Sequence, residues 1–188
     1  MFTKITKVFG VLAAVAILSL SLMAFTLPDS SVSVLDLQGG PGGRGGNGQG
    51  AGSTGLGTPL SNAEKDTLNQ AIMEEYGALN LYQSAIAQLG NVYPFSMIVK
   101  AEQQHVNALT RQLTKYGMPV PANPGLTSSP TFGTLQQACQ AGVAAEIADA
   151  ALYDQLKPVV THTDILQVFN NLQSASLNSH LPAFQTCQ

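Results

Sequence analysis

From residue 61 onward, apolar positions recur at alternating spacings of four and three. In residues 61–89 they are Leu68, Ile72, Leu79, Tyr82, Ile86 and Leu89, opened by a capping box, Ser61-x-x-Glu64, and closed by Gly90. In residues 95–116 they are Phe95, Ile98, Val99, Val106, Leu109, Leu113 and Tyr116, with Pro94 before them and Gly117 and Pro119 after. A third stripe carries Leu135, Cys139, Gly142, Tyr153 and Leu156, with Thr134 as its cap and Pro158 as its stop. The fourth carries Ile165, Phe169, Leu172, Ser176, Ala183 and Cys187, capped by Thr161 or Thr163. Pro182 lies one turn from its end and is expected to kink the helix or remove a backbone hydrogen bond. Sustained period-two alternation is missing, so the spacing predicts an all-α fold of four helices, each of roughly 20 to 25 residues. The short turn at 91–93 predicts that the first two helices form an antiparallel hairpin. Residues 118–133 are rich in Pro, Gly, Ser and Thr and are too many for a tight turn. They predict a long crossover between helices 2 and 3.

Six polar residues interrupt these stripes: Glu75 on the first, Glu102 and His105 on the second, Glu146 and Asp149 on the third, and His180 on the fourth. Any one of them alone reads as a residue at a stripe edge. Together they are four acids and two imidazoles on faces that ought to be buried, and an unpaired buried carboxylate costs several kcal/mol. Lys100 and Arg111 fall on the polar side of the second helix and offer no compensation. Protonation, water or metal remain. Two divalent ions would cancel four carboxylates, and carboxylate with imidazole suits iron first and manganese second. Glu102 and His105, three apart, share one helix face as two ligands of one ion.

Tyr82 and Tyr153 follow Glu75 and Glu146 at the same spacing of seven. They have two readings: donors that hold the ligand carboxylates, or core aromatics with a satisfied hydroxyl. Glu74 points about 100° from Glu75 and reads as solvated. His162, in a turn, reads as a surface residue. Cys139 is seven residues before Glu146, and Cys187 is seven after His180. If helices 3 and 4 run antiparallel with Glu146 and His180 level, both thiols lie about 10 Å along the axis on the same side and can bond.

The other third of the chain is built differently. Residues 1–27 carry Lys4 and Lys7, then an uncharged apolar run, the layout of an export signal or, uncleaved, of an N-terminal membrane anchor. Between residues 39 and 57, eleven of nineteen residues are glycine, so residues 28–59 read as a flexible tether and residues 60–188 as the bundle. The glycine pairs follow no strand and precede no Lys-Ser/Thr, which excludes a phosphate loop. Only 10% of residues are charged and the net charge is −3, which excludes a nucleic-acid footprint. The expected location is extracellular, periplasmic or tethered at the cell surface, with membrane contact only through residues 1–27.

The pattern resembles the ferritin-like di-metal carboxylate superfamily, in which two helices each give a Glu and two each give Glu-x-x-His. Glu75 matches the first lone Glu, Glu102-Gln-Gln-His105 the first Glu-x-x-His, and Glu146 the second lone Glu. The wording LSNAEK, EEYGALNLY, AEQQHVNAL, KYGMPVP, AAEIAD and HLPAF is similar to an uncharacterised, often exported, bacterial and archaeal branch of that superfamily. The resemblance implies a ferritin-like four-helix bundle with a di-iron or di-manganese centre acting on dioxygen, peroxide or ferrous ion. The paired-cysteine iron site of rubrerythrin-type relatives is missing from the sequence. One departure stands out: the acid expected three residues before His180 is Leu177. Asp149, one turn beyond Glu146, is the expected substitute. A non-catalytic, tethered metal-binding or structural bundle is the alternative.

Overall fold

The computed structural model describes residues 58–187; the export signal or anchor expected of residues 1–27 and most of the tether expected of residues 28–59 lie outside them. The described residues are all-helical: α1 Asn62–Leu89, α2 Phe95–Lys115, α3 Leu135–Leu156, α4 Thr163–Ala175 and a short α5 Leu181–Gln185. α4 and α5 are joined through one π-helical turn, Ser176–His180, and form a single fourth rod. Among the described residues there is no strand, and none of their helices is long and apolar enough to cross a membrane.

Cross-helix contacts fix the directions. Tyr82 meets Phe95 and Glu75 meets His105, so α1 and α2 are antiparallel. Tyr82 also meets Glu146, and Glu75 meets Tyr153, so α1 and α3 are antiparallel as well. Gln173 reaches the Ala150 carbonyl and Ser176 reaches Asp149, which opposes α3 and the fourth rod. α2 and α3 therefore run the same way, and the segment between them must traverse the bundle. It does so along α1. The Tyr76 hydroxyl donates to the Pro121 carbonyl, Asn80 and Asn123 exchange side-chain amide bonds, and Gln88 binds both the Pro130 carbonyl and the Phe132 N–H. The crossover expected of residues 118–133 is what the chain builds.

Local chemistry explains the ends. Ser61 and Glu64 form the reciprocal capping box of α1. α2 ends in a Schellman motif: Gly117, at φ 67°, bonds the Thr114 carbonyl, and the Met118 N–H bonds that of Leu113. Thr134 caps α3 through the Gln137 N–H. Neither threonine caps α4; His162 stands at that position with no side-chain bond to the helix. In the fourth rod, the Leu181 N–H bonds the Ser176 carbonyl five residues back, immediately before Pro182, whose ring has no N–H to offer. One widened turn thus takes up the proline.

Two apolar cores flank a polar layer. One gathers Leu68, Ile72, Leu109, Leu113, Ile165 and Phe169; the other gathers Tyr82, Phe95, Ile98, Cys139 and Phe184. Phe184 holds α5 down, its ring so close to Gly142 that an added Cβ would sit 2.7 Å from it. Cys139 and Cys187 form a disulfide with Cα atoms 6.1 Å apart, as the matched offsets of seven predicted.

His162 departs from its surface reading. Glu64 is buried, and its Oε1 accepts from the Thr161 N–H, the Thr161 hydroxyl, the His162 N–H and His162 Nδ1, the last at 2.7 Å. The other ring nitrogen, Nε2, lies 2.7 Å from the Thr58 carbonyl. Both partners are acceptors, so only the doubly protonated ring satisfies both. Glu64 accordingly sits below the ordinary carboxylate range: burial alone would raise it, but His162 and the Thr161 N–H more than reverse that. His162 is raised by Glu64 and then by the Thr58 carbonyl. Asp164, Tyr116 and Lys115 also face this corner. A depressed acid stabilises above its unfolded value and a raised imidazole below its own, so the clasp contributes most between about pH 4.5 and 6.5. His162→Gln is expected to cost on the order of 1 kcal/mol in that window. In thermal melts the gap from wild type should close as pH rises further; a gap constant from pH 5.5 to 9 would show that the imidazole charge is not what fastens the corner.

Candidate metal centre

All six residues that interrupt the stripes are buried, between 1% and 8% exposed. Glu75 on α1, Glu102 and His105 on α2, Glu146 and Asp149 on α3 and His180 at the end of the π turn meet in the layer between the two cores. Five of them form two overlapping triads. In Glu75, Glu102 and His105, and again in Glu102, Glu146 and His180, one ligand atom from each residue lies within 4.8 Å of the others.

Glu102 belongs to both. Its Oε2 is 3.2 Å from His105 Nδ1 and its Oε1 is 3.0 Å from His180 Nδ1. The outer carboxylates complete the pattern: Glu75 Oε2 lies 3.1 Å from His105 Nδ1, and Glu146 Oε2 lies 3.4 Å from His180 Nδ1. The two imidazole rings stack 5.4 Å apart. Tyrosines brace the outer acids across the bundle. The Tyr153 hydroxyl donates to Glu75 Oε1 at 2.6 Å, and Tyr82 donates to Glu146 Oε1 at 2.5 Å. Burial, and then the negative charge of Glu75 on Tyr153 and of Glu146 on Tyr82, hold these hydroxyls well above their ordinary pKa, which keeps them donors. Both rings lie in the apolar clusters with their hydroxyls satisfied by Glu75 and Glu146, so the fold meets both descriptions of the tyrosines at once.

The electrostatics are those of crowded charge. Burial raises Glu75 well above the carboxylate range. Burial would also raise Glu102, but His105 and His180 on either side pull it down. Burial alone would lower both imidazoles; instead Glu102 with Glu75 raises His105 to about 10, and Glu102 with Glu146 raises His180 to about 9. Asp149 is pushed up to about 7 by burial, with the Ser176 hydrogen bond opposing and the charges of Glu102 and Glu146 adding. Glu74, read as solvated, is half-buried and raised by that burial. Among the described residues no lysine or arginine pairs with these acids: Lys115 goes to Asp164 and Lys157 to Asp154.

Two orphaned atoms test whether the layer fits metal. His180 Nδ1 has carboxylate oxygens close by yet is aligned with none for a hydrogen bond, and Asp149 Oδ1 has no partner at all. Buried polar atoms are nearly always bonded. A ring nitrogen and a carboxylate oxygen left without hydrogen-bond partners, in a layer with three further carboxylates and a second imidazole, are lone-pair donors of the kind an ion site uses. Asp149 stands apart in one respect. It belongs to neither triad, and its Oδ2 is held by Ser176.

Solved structures similar in fold include two hypothetical proteins. A hypothetical protein from Methanococcus jannaschii, MJ0754, is 27% identical with a TM-score of 0.59, covering 68% of this chain and 80% of its own. A conserved hypothetical protein from Mycobacterium tuberculosis, rv2844, is 13% identical with a TM-score of 0.58, covering 67% of this chain and 97% of its own. No family model and no curated protein matches the sequence.

Sequence reasoning found the six polar residues because helical spacing places them among core positions. It missed two things. Ser176 was visible only as a small residue on the fourth stripe, and the Glu64–His162 clasp joins residues 98 apart. Its only signal was an acid already used in a cap.

Proposed function

We propose that this chain is an exported, ferritin-like di-metal carboxylate protein. Two divalent ions, iron first and manganese second, would be held by Glu75, Glu102 and His105 and by Glu102, Glu146 and His180, with Asp149 as a further ligand. The observation that carries this reading is Glu102, one oxygen toward each histidine, at the junction of two buried triads. The parallel run of α2 and α3 with a traversing connection supports the ferritin-like assignment. Export is supported by the disulfide, which suits an oxidising compartment, and by the leader-like residues 1–27.

The proposed activity is that of a di-metal oxidoreductase of ferroxidase or peroxidase type, with dioxygen, peroxide or ferrous ion as substrate. Iron or manganese bound there would supply the electron transfer. The protein's own part is to hold the outer carboxylates through Tyr82 and Tyr153, to keep bulk water out with two apolar cores, and to leave an approach. A cleft of about 290 Å³ between α2 and the fourth rod, walled by Tyr93, Met97, Ile98 and Ala183, has His180 in its lining and a volume that admits dioxygen or peroxide.

Ferrous oxidation followed with oxygen or peroxide consumption tests the reading. The iron-loaded full chain is expected to oxidise added ferrous ion faster than buffer alone, and Glu102→Ala is expected to return the rate to that of buffer. The second reading, a non-catalytic metal-binding bundle, has Leu177 on its side, because the acid of the second Glu-x-x-His is missing. Tight metal binding with no oxidation above buffer would favour it.

A further inference from the structure

Leu177 occupies the position where the Glu-x-x-His pattern wants an acid, and it is 42% exposed. Its neighbour Ser176, four residues before His180, is 1% exposed. The π turn accounts for the exchange. With the Leu181 N–H bonded five residues back to the Ser176 carbonyl, the turn holds one residue more than an α-helical turn. An α-helix carries both the third and the fourth residue before His180 on its face; the wider turn keeps the fourth there and rotates the third toward solvent. Ser176 uses the inward position. Its hydroxyl donates to Asp149 Oδ2 at 2.5 Å, and Asp149, 5% exposed, is left with Oδ1 buried and unpartnered.

We propose that Ser176 and Asp149 together replace the acid missing from the fourth helix. Ser176 is a positioning residue that fixes Asp149 through Oδ2 and keeps Oδ1 free for one of the two ions that share Glu102. The carboxylate has moved to α3, and the π turn sets the register that lets a serine reach it. This rests on the di-metal reading and adds a consequence for register: an acid completes the site from position 176 and not from position 177, although the linear motif says 177.

The test measures ions per chain and stepwise affinities on the full chain, titrated anaerobically with ferrous ion and, separately, with manganese. Wild type should hold two ions and Asp149→Ala about one. In the Asp149→Ala background, adding Ser176→Glu should restore the second ion and adding Leu177→Glu should not. Ser176→Ala alone should weaken the second ion roughly tenfold or more while leaving the first unchanged. That split is something a general loss of packing would not produce, and this one-oxygen deletion carries the test should Asp149→Ala fail to fold. Rescue by Leu177→Glu without rescue by Ser176→Glu, or two ions retained by Asp149→Ala, would overturn the proposal. Wild type holding no ion would instead overturn the di-metal reading on which it rests.

Discussion

Glu102→Ala is expected to empty both metal positions at once, whereas Glu75→Ala and Glu146→Ala should each empty one. The difference follows from geometry. Glu75 lies beside His105 and Glu146 beside His180, while Glu102 turns one oxygen to each imidazole. Loss of a group that merely supports a ligand typically lowers metal affinity 10- to 100-fold, so loss of a shared carboxylate should reach at least about 100-fold at both positions. The fold should survive, because the deletion removes a buried charge and leaves each histidine one carboxylate. Stepwise binding isotherms on the three variants make the comparison. If Glu102→Ala loses only the ion that Glu75→Ala loses, Glu102 is not the shared ligand.

Opening the Cys139–Cys187 bond, by dithiol reduction or by Cys187→Ser, should produce the largest loss of stability. The bond closes a loop with a sequence separation of 48, for which chain entropy gives about 4 kcal/mol. The loss should also be uneven. Cys187 secures the end of the fourth rod, and α5 is otherwise anchored by Phe184 against Gly142, Tyr82 and Phe95. His180 is the residue before α5. Reduction is therefore expected to release the ion at Glu102, Glu146 and His180 before the one at Glu75, Glu102 and His105. Denaturant unfolding of oxidised and reduced protein, with metal retention followed in parallel, checks both parts. A stability change below about 1 kcal/mol would mean that packing alone holds the rod.

The comparison of sequence with structure separates what is local from what is not. Glu75, Glu102, His105, Glu146, Asp149 and His180 could be read from helical spacing because a buried face repeats every three or four residues whatever it packs against. The cysteines could be paired because equal offsets from Glu146 and His180 survive the antiparallel packing of straight helices. Ser176 could not be assigned a role. The motif counts in α-helical turns, and the turn before Pro182 is wider than that. The caps of α4 failed for a related reason: the Thr161 backbone N–H and hydroxyl are both turned to donate to Glu64, which arrives from the start of α1, and the cap position falls one residue later, at His162.

The central claim is that the polar layer is a two-ion site joined through Glu102. Elemental analysis of purified wild type beside Glu102→Ala, both equilibrated anaerobically with ferrous ion and freed of unbound metal, tests it most directly. The account predicts two ions per chain in wild type and close to none in the variant; near-zero metal in both, or equal metal in both, would contradict it.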